Sequence, residues 1–258
     1  MKLLFYIHRV CAFFYNKFFD SNGMNGEFMS QEESLELLIS SDKSLIRWGD
    51  GESIIASGGS LYFQKNSFYL MKDFFTLVNN YNSSSKYLIA LPHVYLKDKK
   101  SHLIEKNSYR TWKYTRYIYQ LFFRKDNIYL DAFLFRENTR LLNEKIELLW
   151  MKKKVIFFVH NNFKYYHDFE KKYSEKSIYF IQINNSNSYQ QIPTTINKIT
   201  NIIKNNNLKK EEIIVLISAG PAGKVLVFKL VNIDLKALDM GHYFDYKFYG
   251  IKRDYKKD

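Results

Sequence analysis

Apolar positions along the chain follow two different periods. Runs at 44–47, 87–91, 155–159, 178–183 and 213–217 are apolar at most positions and predict strands. Those at 155–159 and 213–217 are almost unbroken, as expected of strands covered on both faces of a parallel sheet. Between them the spacing changes to three or four. Leu142, Ile146 and Leu149 mark one helix, and Ile192, Ile196, Ile199 and Ile203 mark another. A capping box, Ser30-Gln31-Glu32-Glu33, opens a helix through Leu35, Leu37, Leu38 and Ile39. An apolar helix is also predicted over 225–230, and a short strand over 237–239. Alternating strands and helices predict the α/β class, a Rossmann-like, mostly parallel sheet flanked by helices. No repeat and no Pro/Gly/Ser-rich linker divides the chain. One domain is therefore expected over 30–250, after an amphipathic helical extension (1–29) and before a basic tail (251–258).

The N-terminal segment is rich in Leu and Phe but broken by Lys2, His8, Arg9 and Lys17. A membrane span needs about 18 or more apolar residues with few charges, which this segment lacks. Arg9 and the absence of a small-residue cleavage site also argue against a signal peptide. Two readings stay open. The helix lies at a membrane interface, with cations toward anionic lipid, or it docks on the protein's own core.

Composition narrows the field. Of 258 residues, 46% are hydrophobic and 18% aromatic, which excludes a chain disordered along its length. The single cysteine, Cys11, permits neither an internal disulfide nor a cysteine zinc cluster and fits a reducing compartment. The net charge is +13 and unevenly spread. Between Lys97 and Lys125 nine basic residues face only Asp98 and Glu105, interleaved with Tyr109, Trp112, Tyr114, Tyr117, Tyr119, Phe122 and Phe123. That pattern suits nucleic acid, an anionic membrane, or a phosphate-bearing substrate. It equally suits a solvated helix face with its rings turned inward.

Three constellations carry candidate chemistry. In Arg47-Trp48-Gly49-Asp50-Gly51-Glu52, the acids stand two apart at the end of an expected strand, where alternation would aim both carboxylates at one point. Gly49 and Gly51 would supply unusual backbone angles and close ligand approach. Paired carboxylates suit Mg²⁺ or Mn²⁺, and Arg47 beside them suits a diphosphate; a plain polar turn is the alternative. In Ser218-Ala219-Gly220-Pro221-Ala222-Gly223-Lys224, a glycine turn between strand and helix presents amides to phosphate, or merely packs tightly. It matches neither the P-loop nor the dinucleotide fingerprint. In Asp239-Met240-Gly241-His242, Asp239 and His242 lie at a strand end, where sugar hydroxyls or a metal are met. Asp239 is also a guess for a base. His93, His160 and His167 carry little signal.

In order, Arg47 to Glu52, Asp131-Ala132-Phe133-Leu134-Phe135-Arg136, residues 218–226 and residues 237–242 resemble the GT-D-fold bacterial glycosyltransferases, over about residues 30 to 245. The resemblance implies a nucleotide-sugar donor, usually a UDP-sugar, and metal-dependent transfer involving Asp50 and Glu52. Arg47 would act beside them, with Arg136, Gly49, Gly51, Gly220, Pro221, Ala222, Asp239, Gly241 and His242 around the donor. It also implies a glycan, lipid-linked or glycoprotein acceptor at a bacterial surface. Nucleic acid is then not expected as a partner, and the location expected is cytoplasmic, peripheral on the membrane's inner face. The chief alternative is a non-enzymatic basic protein binding nucleic acid or an anionic membrane, although a polyanion would avoid Asp50 and Glu52. Another nucleotide-dependent α/β enzyme, such as a methyltransferase, would leave that acidic pair without a role.

Overall fold

The computed structural model describes residues 1–20, 24, 26–136 and 140–250. The expected basic tail, 251–258, lies outside the described residues. The first half of the chain runs α1 (Lys2–Phe18), β1 (Glu27–Phe28), α2 (Gln31–Ser40), β2 (Ser44–Arg47), α3 (Asp50–Ala56), α4 (Phe68–Asn79), β3 (Tyr87–Leu91), α5 (His93–Lys97), α6 (Lys100–Glu105), α7 (Tyr109–Phe122) and β4 (Ile128–Asp131). The second runs α8 (Arg140–Met151), β5 (Val155–His160), α9 (Phe163–Lys172), β6 (Ser177–Gln182), α10 (Ile192–Asn205), β7 (Ile213–Ile217), α11 (Pro221–Val231), β8 (Ala237–Asp239) and α12 (Tyr243–Tyr249).

The strands form one eight-stranded sheet, all pairs parallel, in the order β1-β4-β3-β2-β8-β7-β5-β6. Its register divides the core. Leu88, Leu45, Leu238, Leu216 and Phe158 lie in one row across five strands and pack on one face. Their neighbours Ile89, Ile46, Ala237, Val215 and Phe157 pack on the other. Every residue of β5 and β7 is buried, which is why their apolar runs lack alternation. The capping box is present: Ser30 N–H donates to Glu33 Oε2 at 2.8 Å and Glu33 N–H to Ser30 Oγ at 3.3 Å.

β1 and β4 were not anticipated. Two and four residues are too short to show a period, and they are strands because β1 pairs with β4 and β4 with β3.

The docking reading of α1 holds for one face of the helix, and the other face is left uncovered. Ala12 and Asn16 are buried and the helix packs along α7. Its outward stripe, Leu3, Ile7, Val10, Phe14 and Phe18, is exposed, with Leu3 at 73% and Phe18 at 64%. Just past the helix, Asp20 meets Arg116 of α7, an ion pair with both side chains at most 1% exposed. Arg116 Nη2 lies 2.6 Å from Asp20 Oδ1, and Nη1 donates to the carbonyls of Tyr95, Leu96 and Asp98.

The basic stretch is accordingly not a continuous cationic surface. Arg116 is internal, Lys106 pairs with Asp98, Arg124 pairs with Asp126, and Lys100 reaches the Asn16 carbonyl. Trp112, Tyr117 and Tyr119 are buried, as the solvated-face alternative required.

Removing one partner of a buried ion pair leaves an uncompensated internal charge. Asp20→Asn is therefore expected to lower unfolding free energy by about 3–5 kcal/mol, read from urea denaturation. A loss under about 1 kcal/mol would mean that Asp20 does not hold α1 to the body.

Candidate functional site

Strands leave β2 in opposite directions, β3 and β4 to one side and β8, β7 and β5 to the other. In an open parallel sheet such a switch point opens a crevice at the carboxyl ends of the strands. The turns after β2, β8, β7 and β4 meet there, so residues far apart in sequence become neighbours.

Arg47 closes β2 and is pinned by backbone. Its Nε donates to the Asp239 carbonyl at 2.8 Å and Nη1 to the Ala132 carbonyl at 3.1 Å, while the guanidinium lies 5.1 Å from the centre of the Phe135 ring. Gly241 makes room for it. A Cβ there would stand 1.7 Å from Arg47 Nη2, and its φ of +54° already disfavours a side chain.

Asp50 and Glu52 are not in extended backbone, so the alternation expected of them does not apply. They occupy the first turn of α3, whose start follows Gly49, and each has its own environment. Glu52 turns back on its helix: Oε2 accepts the Gly49 N–H at 2.7 Å, and Oε1 lies 3.0 Å from Lys224 Nζ. Asp50 is half-buried. Burial first, then the charge of Glu52, raises its carboxyl above the usual range, while the Gly51 amide and the Arg136 guanidinium pull it back. Asp50, Glu52 and Arg136 thus share one electrostatic environment. Arg136 also stacks on Phe133 at 4.1 Å.

The flanking glycines act differently from expectation. Gly49 has an ordinary extended φ of −128°, and Gly51 is not among the glycines with positive φ. Close approach is what requires them. A Cβ at Gly49 would meet Glu52 Oε2 at 3.2 Å and one at Gly51 would meet Leu61 at 3.1 Å. Tyr119, buried in α7, donates its hydroxyl to the Gly49 carbonyl and steadies the turn.

Asp239 departs most from expectation. It is 0% exposed, and both its oxygens are engaged within the protein. Oδ1 accepts the Gly241 N–H at 3.1 Å, while Oδ2 accepts the Arg47 N–H at 3.3 Å and lies 3.0 Å from Lys224 Nζ. It positions Arg47 and Gly241.

Lys224, not singled out from the sequence as a site residue, joins these groups. Its side chain is 7% exposed and bridges Glu52 and Asp239 while donating to the Gly220 carbonyl at 3.1 Å. Burial disfavours its charge, but Asp239 and Glu52 outweigh that and raise its pKa, against the opposing Arg47. A signal existed. Lys224 sits near the start of a helix otherwise apolar and buried from Pro221 to Val227, and such a charge must be paired.

The Gly220 turn is packed rather than open. Ala222 is 1% exposed, Pro221 is buried and has no N–H, and the Gly223 N–H donates to the Gly220 carbonyl. The expected amide cradle at Pro221 and Ala222 is therefore closed, with the Lys224 chain folded over it. Gly220 itself is half-buried at φ +54°, and a Cβ would meet Phe63 at 3.1 Å. His242 remains exposed beyond Gly241, with Nδ1 2.8 Å from Asp245 Oδ2. His160 is held neutral, its pKa lowered to about 4 by burial, with Nδ1 accepting the Asn162 N–H.

Among the described residues no three His, Cys, Asp or Glu side chains gather as a metal cage. Glu52 already has a partner on each oxygen, so of the two acids Asp50 is the one that would hold a cation directly. That still fits Mg²⁺ or Mn²⁺, which use one or two carboxylates and fill the shell with water and phosphate oxygens. A half-buried carboxylate whose pKa is raised beside a second carboxylate is a place where a cation relieves unfavourable charge.

A parallel sheet with its charged groups gathered at a switch point defines an α/β protein with a crevice at the carboxyl ends of its strands. The family model for the glycosyltransferase GT-D fold matches residues 45–258, and the chain belongs to that family. Its class is that of the glycosyltransferases. It is similar to a solved glycosyltransferase (DUF1792) from Streptococcus sanguinis, 20% identical, with a TM-score of 0.65 over 89% of this chain and 87% of that one. A second solved structure, of the highly conserved domain of unknown function 1792 with a distinct glycosyltransferase fold, matches at 20% identity with a TM-score of 0.68 over 88% and 82%. These likenesses show the fold. No protein of curated function matches the chain in sequence.

Lys224→Met would leave Glu52 and Asp239 buried without the ammonium that bridges them. We expect a loss of about 3–5 kcal/mol in unfolding free energy, measured by denaturant titration. Wild-type stability in the variant would mean that the bridge does not hold α11 to α3 and β8.

Proposed function

We propose that this glycosyltransferase is metal-dependent and moves a sugar from a nucleotide donor, by family resemblance a UDP-sugar, to a bacterial surface glycan or glycoprotein. The observation that carries it is the convergence of Asp50, Glu52 and Arg136 beside Arg47 at the switch point. A basic nucleic-acid binder has no use for a carboxylate kept half-buried among arginines.

In glycosyl transfer the bond from the sugar's anomeric carbon to the diphosphate breaks, and negative charge grows on the departing phosphates. Mg²⁺ or Mn²⁺ at Asp50 would supply Lewis-acid stabilisation of that charge. Arg47 supplies a fixed positive charge whose orientation is set by two backbone carbonyls, so little reorganisation accompanies the reaction. Arg136 adds a second guanidinium on the Asp50 side. Glu52, held by the Gly49 N–H and Lys224, orients the first turn of α3 and with it Asp50.

The protein is expected to act at the inner face of the membrane. No helix among the described residues is long and apolar enough to cross a membrane, but α1 offers its apolar stripe outward with Lys2, Arg9 and Lys17 alongside.

Asp50→Asn is expected to lower UDP-sugar turnover at saturating Mn²⁺ by about 10²–10³. In the wild type, a UDP-sugar should raise the melting temperature more with Mn²⁺ than with a chelator. Unchanged turnover and a metal-independent shift together would remove Asp50 and the metal from the mechanism.

For the membrane, Phe14→Ser/Phe18→Ser leaves the buried face of α1 intact, so folding is preserved where deletion of residues 1–20 would strand Arg116. The partition constant onto anionic vesicles, read by sedimentation, should fall about thirtyfold, since each of the two rings contributes on the order of 1 kcal/mol of interfacial burial. Undiminished sedimentation would place membrane contact elsewhere.

A further inference from the structure

A groove of about 530 Å³ runs between α1, α3 and α7 and ends on Asp50, which it shares with the strand-end crevice. Its floor is rigid. The Ser53 and Thr115 hydroxyls lie 3.0 Å apart, both buried, and the Tyr114 hydroxyl donates to Ser57 Oγ at 2.8 Å. Two cations stand on each long wall, Arg9 and Lys17 from α1 and Arg110 and Lys113 from α7, all exposed. Among the described residues none of the four forms an ion pair with a carboxylate. Asp50 is the one acid in the lining. Phe5, Phe13, Tyr109 and Tyr114 supply ring surface between the charges.

Four cations around one groove repel one another, and helix packing alone holds them there. Asp20–Arg116 and the Asn16 contacts of Lys100 and Tyr109 clamp α1 against α7 and set the groove's width. A bound anion converts that repulsion into affinity. The helix that forms one wall presents uncovered Leu, Ile, Val and Phe side chains on its outer side. A hydrocarbon chain leaving the groove over α1 meets apolar surface at once.

We propose that this groove is the acceptor site and that the acceptor is a lipid-linked phosphate: anionic head on the four cations, glycan toward Asp50, hydrocarbon along the outer side of α1. The proposal rests on the glycosyltransferase reading above and adds the acceptor's chemical class and its place. In the step it serves, an acceptor hydroxyl oxygen bonds to the anomeric carbon as that carbon's bond to the diphosphate oxygen breaks. The electron pair leaves with the nucleoside diphosphate, and the hydroxyl proton passes to water. Charge and tail are both required, so a free sugar phosphate and an uncharged lipid should each bind poorly.

The test uses the full-length protein and three probes: farnesyl phosphate below its micelle concentration, farnesol, and glucose 1-phosphate. Farnesyl phosphate should bind at least about tenfold more tightly than either of the others by titration calorimetry at low salt, because both contributions act together. Arg110→Gln/Lys113→Gln should weaken that binding about tenfold, and Arg9→Gln/Lys17→Gln on the opposite wall should do the same, with melting temperatures within those of ordinary surface substitutions. UDP affinity should stay unchanged in both. If farnesol binds as well as farnesyl phosphate, or both double variants bind it like the wild type, the groove does not read phosphate and the proposal falls. If glucose 1-phosphate binds equally, the site takes soluble phosphates and the lipid assignment falls. Failure of the wild type to bind UDP would sink the donor assignment separately, leaving the lipid-phosphate chemistry of the groove supported.

Discussion

One ammonium group, buried where three chain segments meet, holds the site in place. Lys224 comes from the first turn of α11, Glu52 from the first turn of α3, and Asp239 from the end of β8. Placing a cation near the amino end of a helix opposes the helix dipole, and burying it costs solvation. Two carboxylates at 3.0 Å outweigh both costs. Arg47 beside them brings the cluster to two positive and two negative groups, so the interior is charge-balanced while each member is locked by the others.

Preorganisation of the crevice follows from that lock. Asp239 cannot turn outward without stranding Lys224, so the turn through Gly241 keeps its left-handed shape. That shape lets the Arg47 guanidinium lie across a residue with no side chain. Glu52 is equally committed, which separates two acids that look equivalent on paper. One builds the turn; the other, Asp50, is left half-exposed within the field of Arg136.

A second buried pair, Asp20–Arg116, does for α1 what Lys224 does for the crevice. It fixes a helix whose outer face is more apolar than its surroundings in water favour, and it makes that helix a wall of the groove ending on Asp50. Docking on the protein and contact with a membrane are therefore compatible, because a helix has two sides and the fold consumes only one. The basic stretch shows the same economy: several of its cations are taken by structure, and Arg110 and Lys113 remain at the groove.

Features set by near neighbours in the chain were legible without coordinates. The Ser30 capping box, the bounds of β2, β3 and β7, the stripes of α8 and α10 and the α/β class all depend on contacts within a few residues or on burial of whole runs. The four motifs also pointed to the family whose model matches the chain. What stayed hidden spans long separations. Arg47 finds the Ala132 carbonyl across 85 positions and the Asp239 carbonyl across 192, and Arg116 finds Asp20 across 96. β1 and β4 are strands only because partners pair with them. Whether a carboxylate is a ligand or a counter-ion depends on which charge the fold sets beside it. Sequence places Asp50, Glu52 and Asp239 among the acids that matter, but their local patterns are alike; only the packing of α11 against α3 and β8 gives two of them to Lys224 and leaves Asp50 to the site.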